Sequence, residues 1–368
     1  MIEWKQRGNP GKASGKASGK ASGKAPGKAS GKASSRLVRR WDRAHDPTGG
    51  LPLDDLEGLG AALDTVRSPD GAELALVRAG QGGALFVLSH CWTGDHRVWG
   101  PVARRLVGAG HRVVLYDQRG HGASTVGARG LVLDALADDL EAVLERVGGC
   151  GSGVGGGGSG GGSGGAVVAG HSMGGMAVGA LASRDPGRFE RLVGAVVLVA
   201  TSSTLEAKGV RRRTATRVIA HRHLDRAMRR PLLGALLVRD YVGESPVLSH
   251  LRAVADTFAS TPGPIRAGLL AAMFDMDLRA GVARVSVPVT VVVGSHDKIT
   301  PPDEARRIKG AITGAELVVV PGAGHMLPIE APDVVSRLLI QSAGPKPAPP
   351  TQSAGPKPAP PIALQRSS

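Results

Sequence analysis

The stretch Ala166-Val-Val-Ala-Gly-His-Ser-Met-Gly-Gly175 constrains this chain more than any other. Its first four residues are an apolar run of the kind that fits a strand buried on both faces, and Met176-Ala-Val-Gly-Ala-Leu-Ala182 behind it has the composition of a helix. Between them, Gly-x-Ser-x-Gly has to turn the backbone sharply. Such a strand-to-helix turn leaves the Ser172 hydroxyl at its tip, where a base can activate it. Gly170 and Gly174 suit the turn, because positions two before and two after the serine nearly touch and leave little room for a Cβ. In a chain with 55 glycines the pattern also arises by chance, so the flanking strand and helix carry the assignment.

The same rhythm surrounds it. Residues 63–79 alternate around Ser68-Pro-Asp-Gly71 and predict an antiparallel hairpin. Then come a strand at Ala84–Leu88, a helix over 98–109, a strand at Arg112–Tyr116 and a helix over 131–147. In that last helix Leu133, Leu136, Leu140, Val143 and Val147 share one face, and Asp138 and Asp139 fall largely off it. Val193–Val199 is a further strand. After it the alternation breaks, and residues 202–283, rich in helix formers and punctuated by Pro231, Pro246, Pro262 and Pro264, predict several short helices forming a cap. Strands at Val289–Val293 and Glu316–Val320, with helices from Pro302 and Pro332, restore the pattern. The expected class is α/β, with a mostly parallel sheet, helices on both faces and a helical cap inserted after the strand at 193–199.

The ends read differently. Gly-Lys-Ala-Ser repeats fill residues 8–35 and a repeated Pro-rich segment fills 341–368, neither with enough apolar surface to offset its ordering entropy, so a basic arm at 1–40 and a tail at 341–368 are expected to be disordered. Residues 1–40 carry +10 and 341–368 carry +3 of the formal +15, which leaves +2 for 41–340. The basic character therefore belongs to the ends and is no argument for specific nucleic-acid binding, although the arm could make weak contact with an anionic membrane surface or a polyanion. The segment 148–165, thirteen glycines in eighteen residues, reads as a flexible loop at the sheet end opposite the chemistry. No transmembrane segment or signal peptide is visible, and two cysteines suggest no disulfide framework, so a cytoplasmic location is expected.

A serine at such a turn needs a base, an acid to orient the base, and donors for an oxyanion. Asp297 in Val293-Gly-Ser-His-Asp297 and His325 in Val320-Pro-Gly-Ala-Gly-His325 each follow a strand, in the chain order Ser, Asp, His. Asp297, ahead of Lys298-Ile-Thr-Pro, also has the form of a turn or capping residue. With Leu88-Ser-His-Cys-Trp-Thr-Gly94 and Tyr116-Asp-Gln-Arg-Gly-His-Gly122, these motifs over residues 63–340 resemble the α/β-hydrolase superfamily. The resemblance implies a core at 63–201 and 284–340 around the cap at 202–283, with Ser172 as nucleophile, His325 as general base, Asp297 as its partner, and the backbone amides of Trp92 and Met173 as oxyanion hole. It implies no cofactor and no metal. Where the family usually has His-Gly, this chain has His90-Cys91, so a side chain stands where backbone freedom is usual; Cys91 is read as lining, and His121 and His171 as structural.

The expected activity is serine hydrolysis of a small carboxylic acyl ester, lipid-like in one reading, through an acyl-enzyme. A perhydrolase, an acyltransferase, a C–C hydrolase and a non-catalytic ligand-binding protein of the same fold remain alternatives. Between Leu205 and Arg230 the cap carries net +7, and Leu232–Val238 and Leu269–Phe274 supply apolar surface suited either to an acyl chain or to ordinary packing.

Overall fold

A computed structural model describes residue 56 and residues 59–148, 165–205 and 209–344. The core elements are β1 (Ala62–Arg67), β2 (Glu73–Ala79), β3 (Leu85–Ser89), α1 (Gly100–Gly108), β4 (Arg112–Tyr116), α2 (Leu133–Gly148), β5 (Ala166–His171), α3 (Met173–Arg184), α4 (Pro186–Leu192) and β6 (Val193–Val199). An insertion follows, with α5 (Gly209–Ala220), α6 (Arg222–Met228), α7 (Pro231–Leu237), α8 (Leu248–Ser260), α9 (Gly263–Phe274) and α10 (Arg279–Val282). The chain then closes through β7 (Val289–Gly294), α11 (Pro302–Ala311), β8 (Glu316–Val320), α12 (Leu327–Glu330) and α13 (Pro332–Ser342). The expected arm at 1–40 and the Gly-rich run at 149–164 lie outside the described residues, as does the tail from 345. Because α13 continues to Ser342, the first two residues assigned to the tail are helical.

One eight-stranded sheet has the order β1-β2-β4-β3-β5-β6-β7-β8, with β2 antiparallel to both neighbours and β3 to β8 parallel. The chain leaves β3 toward β4 and returns past it to β5. This places a switch point between β3 and β5, and in open α/β sheets the crevice beyond the carboxyl ends at such a point is where ligands sit. The helices cover both faces, which explains the near-continuous apolar strands. Val168 and Val196 point to one side, with Leu140, Val143, Met176 and Leu181 of α2 and α3. Their neighbours Val167, Ala169 and Val197 point to the other, with Val102 and Leu106 of α1 and Leu339 of α13.

Asp139 departs from the sequence reading. It is fully buried rather than off the packed face of α2, because Arg119 Nε and Nη2 each reach its carboxylate oxygens at 2.7 Å. Arg119 Nη1 also donates to Asp70 at 2.9 Å, so one buried guanidinium ties the β1–β2 turn to α2.

Proline sets the segmentation of the insertion. Pro231 opens α7 and Pro264 lies in the first turn of α9, where the missing N–H costs nothing. Leu269, Leu270 and Met273 of α9 pack into the cluster on the α2–α3 side of the sheet, so that apolar stretch is packing. Thr204 pairs with Asp277 as an isolated bridge across the insertion's two ends. The strongest internal tie is Arg266, fully buried, which donates to the carbonyls of Ile219 (3.1 Å), Phe258 (2.9 Å) and Thr261 (2.7 Å) and pairs with Asp225. Truncating it leaves a carboxylate and three carbonyls without their donor, so Arg266→Met is expected to cost about 3–5 kcal/mol. Chemical denaturation, with tryptic cleavage within 209–282, reads the loss.

Among the described residues no helix is long and apolar enough to cross a membrane.

Candidate active site

The loops after β3, β5, β6, β7 and β8 converge at the carboxyl edge of the sheet. All three non-glycine residues with left-handed backbone among the described residues lie there: Thr93 (φ 61°), Ser172 (φ 52°) and Ala200 (φ 46°). Each such residue carries a cost that the surrounding structure must hold, and their clustering marks this edge rather than any other. Ser172 is held from both sides, its N–H donating to the Val199 carbonyl at 2.9 Å and its carbonyl accepting from Thr201 Oγ1 at 2.7 Å.

The glycines of the turn are required for space. A Cβ at Gly170 would lie 2.6 Å from the Gly175 backbone and 2.7 Å from the Gly174 carbonyl carbon, the close approach the sequence suggested, whereas one at Gly174 would lie 2.4 Å from the Ser89 carbonyl oxygen on β3. Gly175 is constrained as well, since its Cβ would meet Thr201 Oγ1 at 2.6 Å. The sequence reading named the first two and missed the third.

Asp297 and His325 meet. His325 Nδ1 lies 2.9 Å from Asp297 Oδ2, and both side chains are buried. Asp297 Oδ1 accepts from the amides of Ile299 (2.8 Å) and Thr300 (2.9 Å), while Thr300 Oγ1 donates to Oδ2 at 2.9 Å. The capping role and the imidazole-partner role are therefore filled by one carboxylate. Burial alone would raise its pKa, but the facing His325 and the Thr300 and Ile299 amides outweigh burial and hold the carboxyl below its ordinary 3.8. His325 also abuts the turn through its backbone, its carbonyl accepting from His171 Nε2 at 2.9 Å. Among the described residues the Ser172 hydroxyl makes no hydrogen bond with the imidazole.

Met173 is the first residue of α3, where an amide has no acceptor within its own helix. Neither its amide nor that of Trp92 finds a protein acceptor elsewhere among the described residues. The Trp92 loop is fixed from behind: His121 Nε2 accepts from the Thr93 amide (3.3 Å), and His90 bridges the Cys91 carbonyl through Nδ1 (2.7 Å) and the Gln118 amide through Nε2 (2.9 Å). The Trp92 indole donates to the Arg266 carbonyl at 3.1 Å, joining this loop to the insertion. Burial pushes the Cys91 thiol up to about 12, so it stays protonated and suits lining rather than attack.

Two positioning groups carry no sequence signal. Glu330 takes the amides of Gly243 (2.7 Å) and Gly324 (3.0 Å) on Oε2 and Met326 (2.9 Å) on Oε1, bracketing His325 and pinning the insertion to it. Tyr241 meets the imidazole edge to face, with ring centroids 5.9 Å apart and its carbonyl accepting from the His325 amide at 2.9 Å. A cavity of about 720 Å³ lies to one side, between Ser203, Arg279, Pro301 and Glu304; none of Ser172, Trp92 and His325 lines it.

The histidines read as structural are neutral by environment. Burial lowers His121 and His171 to about 3 from an ordinary 6.5. The unfolded chain takes up these protons near pH 6.5 and the folded chain does not, so stability is complete above that pH and falls as pH drops toward 3. Two such groups give a slope of roughly 3 kcal/mol per pH unit. Urea midpoints at pH 7 and pH 5 should differ strongly, with pH 5 lower; equal midpoints would contradict the assignment.

The model of the "Alpha/beta hydrolase family" matches residues 86–338. Among curated proteins, the "AB hydrolase superfamily protein YisY" of Bacillus subtilis is 28% identical over 266 residues, 70% of this chain and 91% of that one. The "Pimeloyl-[acyl-carrier protein] methyl ester esterase" of Nitrosomonas europaea is 29% identical over 260 residues, 69% of this chain and 93% of that one. Among solved structures, a hydrolase from Pseudomonas aeruginosa superposes with a TM-score of 0.61 at 27% identity, covering 77% of this chain and 98% of that one.

Proposed function

The chain belongs to the alpha/beta hydrolase family, and from that premise we propose that it is a serine hydrolase cleaving a carboxylic ester through an acyl-enzyme. The observation that carries this reading is the strained Ser172 turn set beside a buried His325–Asp297 pair. Ser172 Oγ attacks the ester carbonyl as His325 Nε2 takes its proton, and the collapse of the tetrahedral intermediate returns that proton to the departing alkoxide. Water then repeats the sequence and releases the acid. The Met173 and Trp92 amides, lacking protein acceptors among the described residues, would receive the oxyanion, and each such donor is worth roughly a hundredfold in turnover. The contact between hydroxyl and imidazole closes with substrate in place, as is common for catalytic hydrogen bonds that are long in the free enzyme.

The insertion is the cap of this site. Met228, Val238, Leu251 and Phe258 form one apolar cluster with Cys91 and Met326, and Trp92 packs against it; this roof suits an apolar acyl group. The Nitrosomonas relative's printed name supports an ester as the bond broken. A fluorophosphonate probe tests the chemistry: it should label the wild type and not Ser172→Ala, and absence of label on both would remove the basis of the proposal. A panel of esters of graded acyl length then reads the cap.

A further inference from the structure

The face α7 presents to solvent is the reverse of what its composition predicts. Leu232, Leu233, Leu236 and Leu237 are 77%, 37%, 71% and 45% exposed, and their spacing puts all four on one side of the helix. Gly234 and Ala235 are the residues turned inward. This register is fixed by the backbone: a Cβ at Gly234 would come 2.1 Å from the Met228 carbonyl oxygen, so the helix lies too close to α6 for any leucine to occupy that side. Of the stretch Leu232–Val238, read as acyl-chain surface or packing, Ala235 and Val238 pack into the cluster with Phe258, whereas the four leucines face outward.

Arginines lead into this leucine face. Arg222, Arg226 and Arg230 are exposed on the way into α7, and earlier in the same insertion α5 exposes Arg211, Arg213 and Arg217, with Val210 and Val218 76% and 55% exposed. Among the described residues none of these six arginines has a carboxylate partner. A helix showing leucines along one side, directly preceded by exposed guanidinium groups, matches the boundary between lipid headgroups and acyl chains, with leucines entering the apolar layer and arginines reaching phosphates.

We propose that this cap face docks on an anionic phospholipid bilayer surface. A second copy of the chain is a poor occupant, because a two-fold contact would bring the same basic patch against itself. An acidic protein would satisfy the arginines and leave the leucines without an apolar host. The docking face is also coupled to the site: α7 leads through the turn Arg239–Tyr241 to the carbonyl that holds the His325 amide. Docking itself is independent of the ester chemistry, and only delivery of a lipid-borne ester to Ser172 rests on the proposed function.

The test uses the full chain with vesicles of phosphatidylcholine alone, or of equal parts phosphatidylcholine and phosphatidylglycerol, followed by sedimentation. Binding to the mixed vesicles is expected, weakened by high salt and nearly absent with phosphatidylcholine. Leu232→Ser/Leu236→Ser and, separately, Arg226→Glu/Arg230→Glu should each lower partitioning by about tenfold or more, with hydrolysis of a water-soluble ester unchanged. No binding to mixed vesicles overturns the proposal. So does binding that both variants leave intact and deletion of residues 1–40 abolishes, which would assign it to the arm. Binding of a purified acidic carrier protein that the same variants abolish, with no vesicle binding, also overturns it and points to a protein partner.

Discussion

Ser172→Ala is expected to lower turnover of an ester by roughly 10⁴- to 10⁶-fold while leaving the unfolding midpoint almost unchanged. The stability half of this expectation follows from the bonding. The hydrogen bonds that fix the turn run through the Ser172 N–H and carbonyl, to Val199 and Thr201, and alanine keeps both. Its Cβ tolerates the φ of 52° as well or as badly as that of serine. Only the hydroxyl is lost, and with it the group that becomes the acyl ester. What remains is the polarisation available from the Met173 and Trp92 amides, a residue of catalysis well below covalent turnover. Cys91 offers no substitute, since burial holds its thiol protonated to about 12. Steady-state rates with an activated ester, alongside thermal unfolding, separate the two halves; a variant retaining a tenth of wild-type turnover would place the nucleophile elsewhere.

What the sequence exposed and what it hid divide along a physical line. Ser172, Asp297 and His325 were legible as candidates because each follows an apolar run ending in a glycine-containing turn, a local pattern that the topology then gathers at one edge. The hairpin and the alternating core were legible for the same reason. Asp139 was misread, because its burial depends on an arginine twenty residues earlier in sequence that reaches it only across the fold. Glu330 and Arg266 also bind the Gly243 amide and the Ile219 carbonyl, 87 and 47 residues away, and no spacing within the chain announces such partners. In α7 composition located the apolar surface but not its direction, which a single close approach at Gly234 decides.

Asp297→Asn should lower kcat by about 10⁴-fold with little change in KM, since Asp297 lies behind the imidazole on the side away from Ser172 in the proposed mechanism. Oδ1 is already committed to the Ile299 and Thr300 amides, so in the variant the amide oxygen is held there and the NH2 group faces Thr300 Oγ1 and His325 Nδ1. Nδ1 must then accept, which moves the ring proton to Nε2, where it blocks uptake of the serine proton. The carboxylate has a second effect that the variant also removes. Its folded pKa is depressed below 3.8, so the stability it contributes is fully present above that pH and is lost as pH falls through the lower folded value. At neutral pH the wild-type carboxylate is therefore ionised and able to steady the imidazolium formed during attack, whereas the asparagine cannot. Measured kcat and KM at pH 7 to 8 decide the matter, because a kcat within tenfold of wild type would mean that the tautomer of His325 is set by some other group.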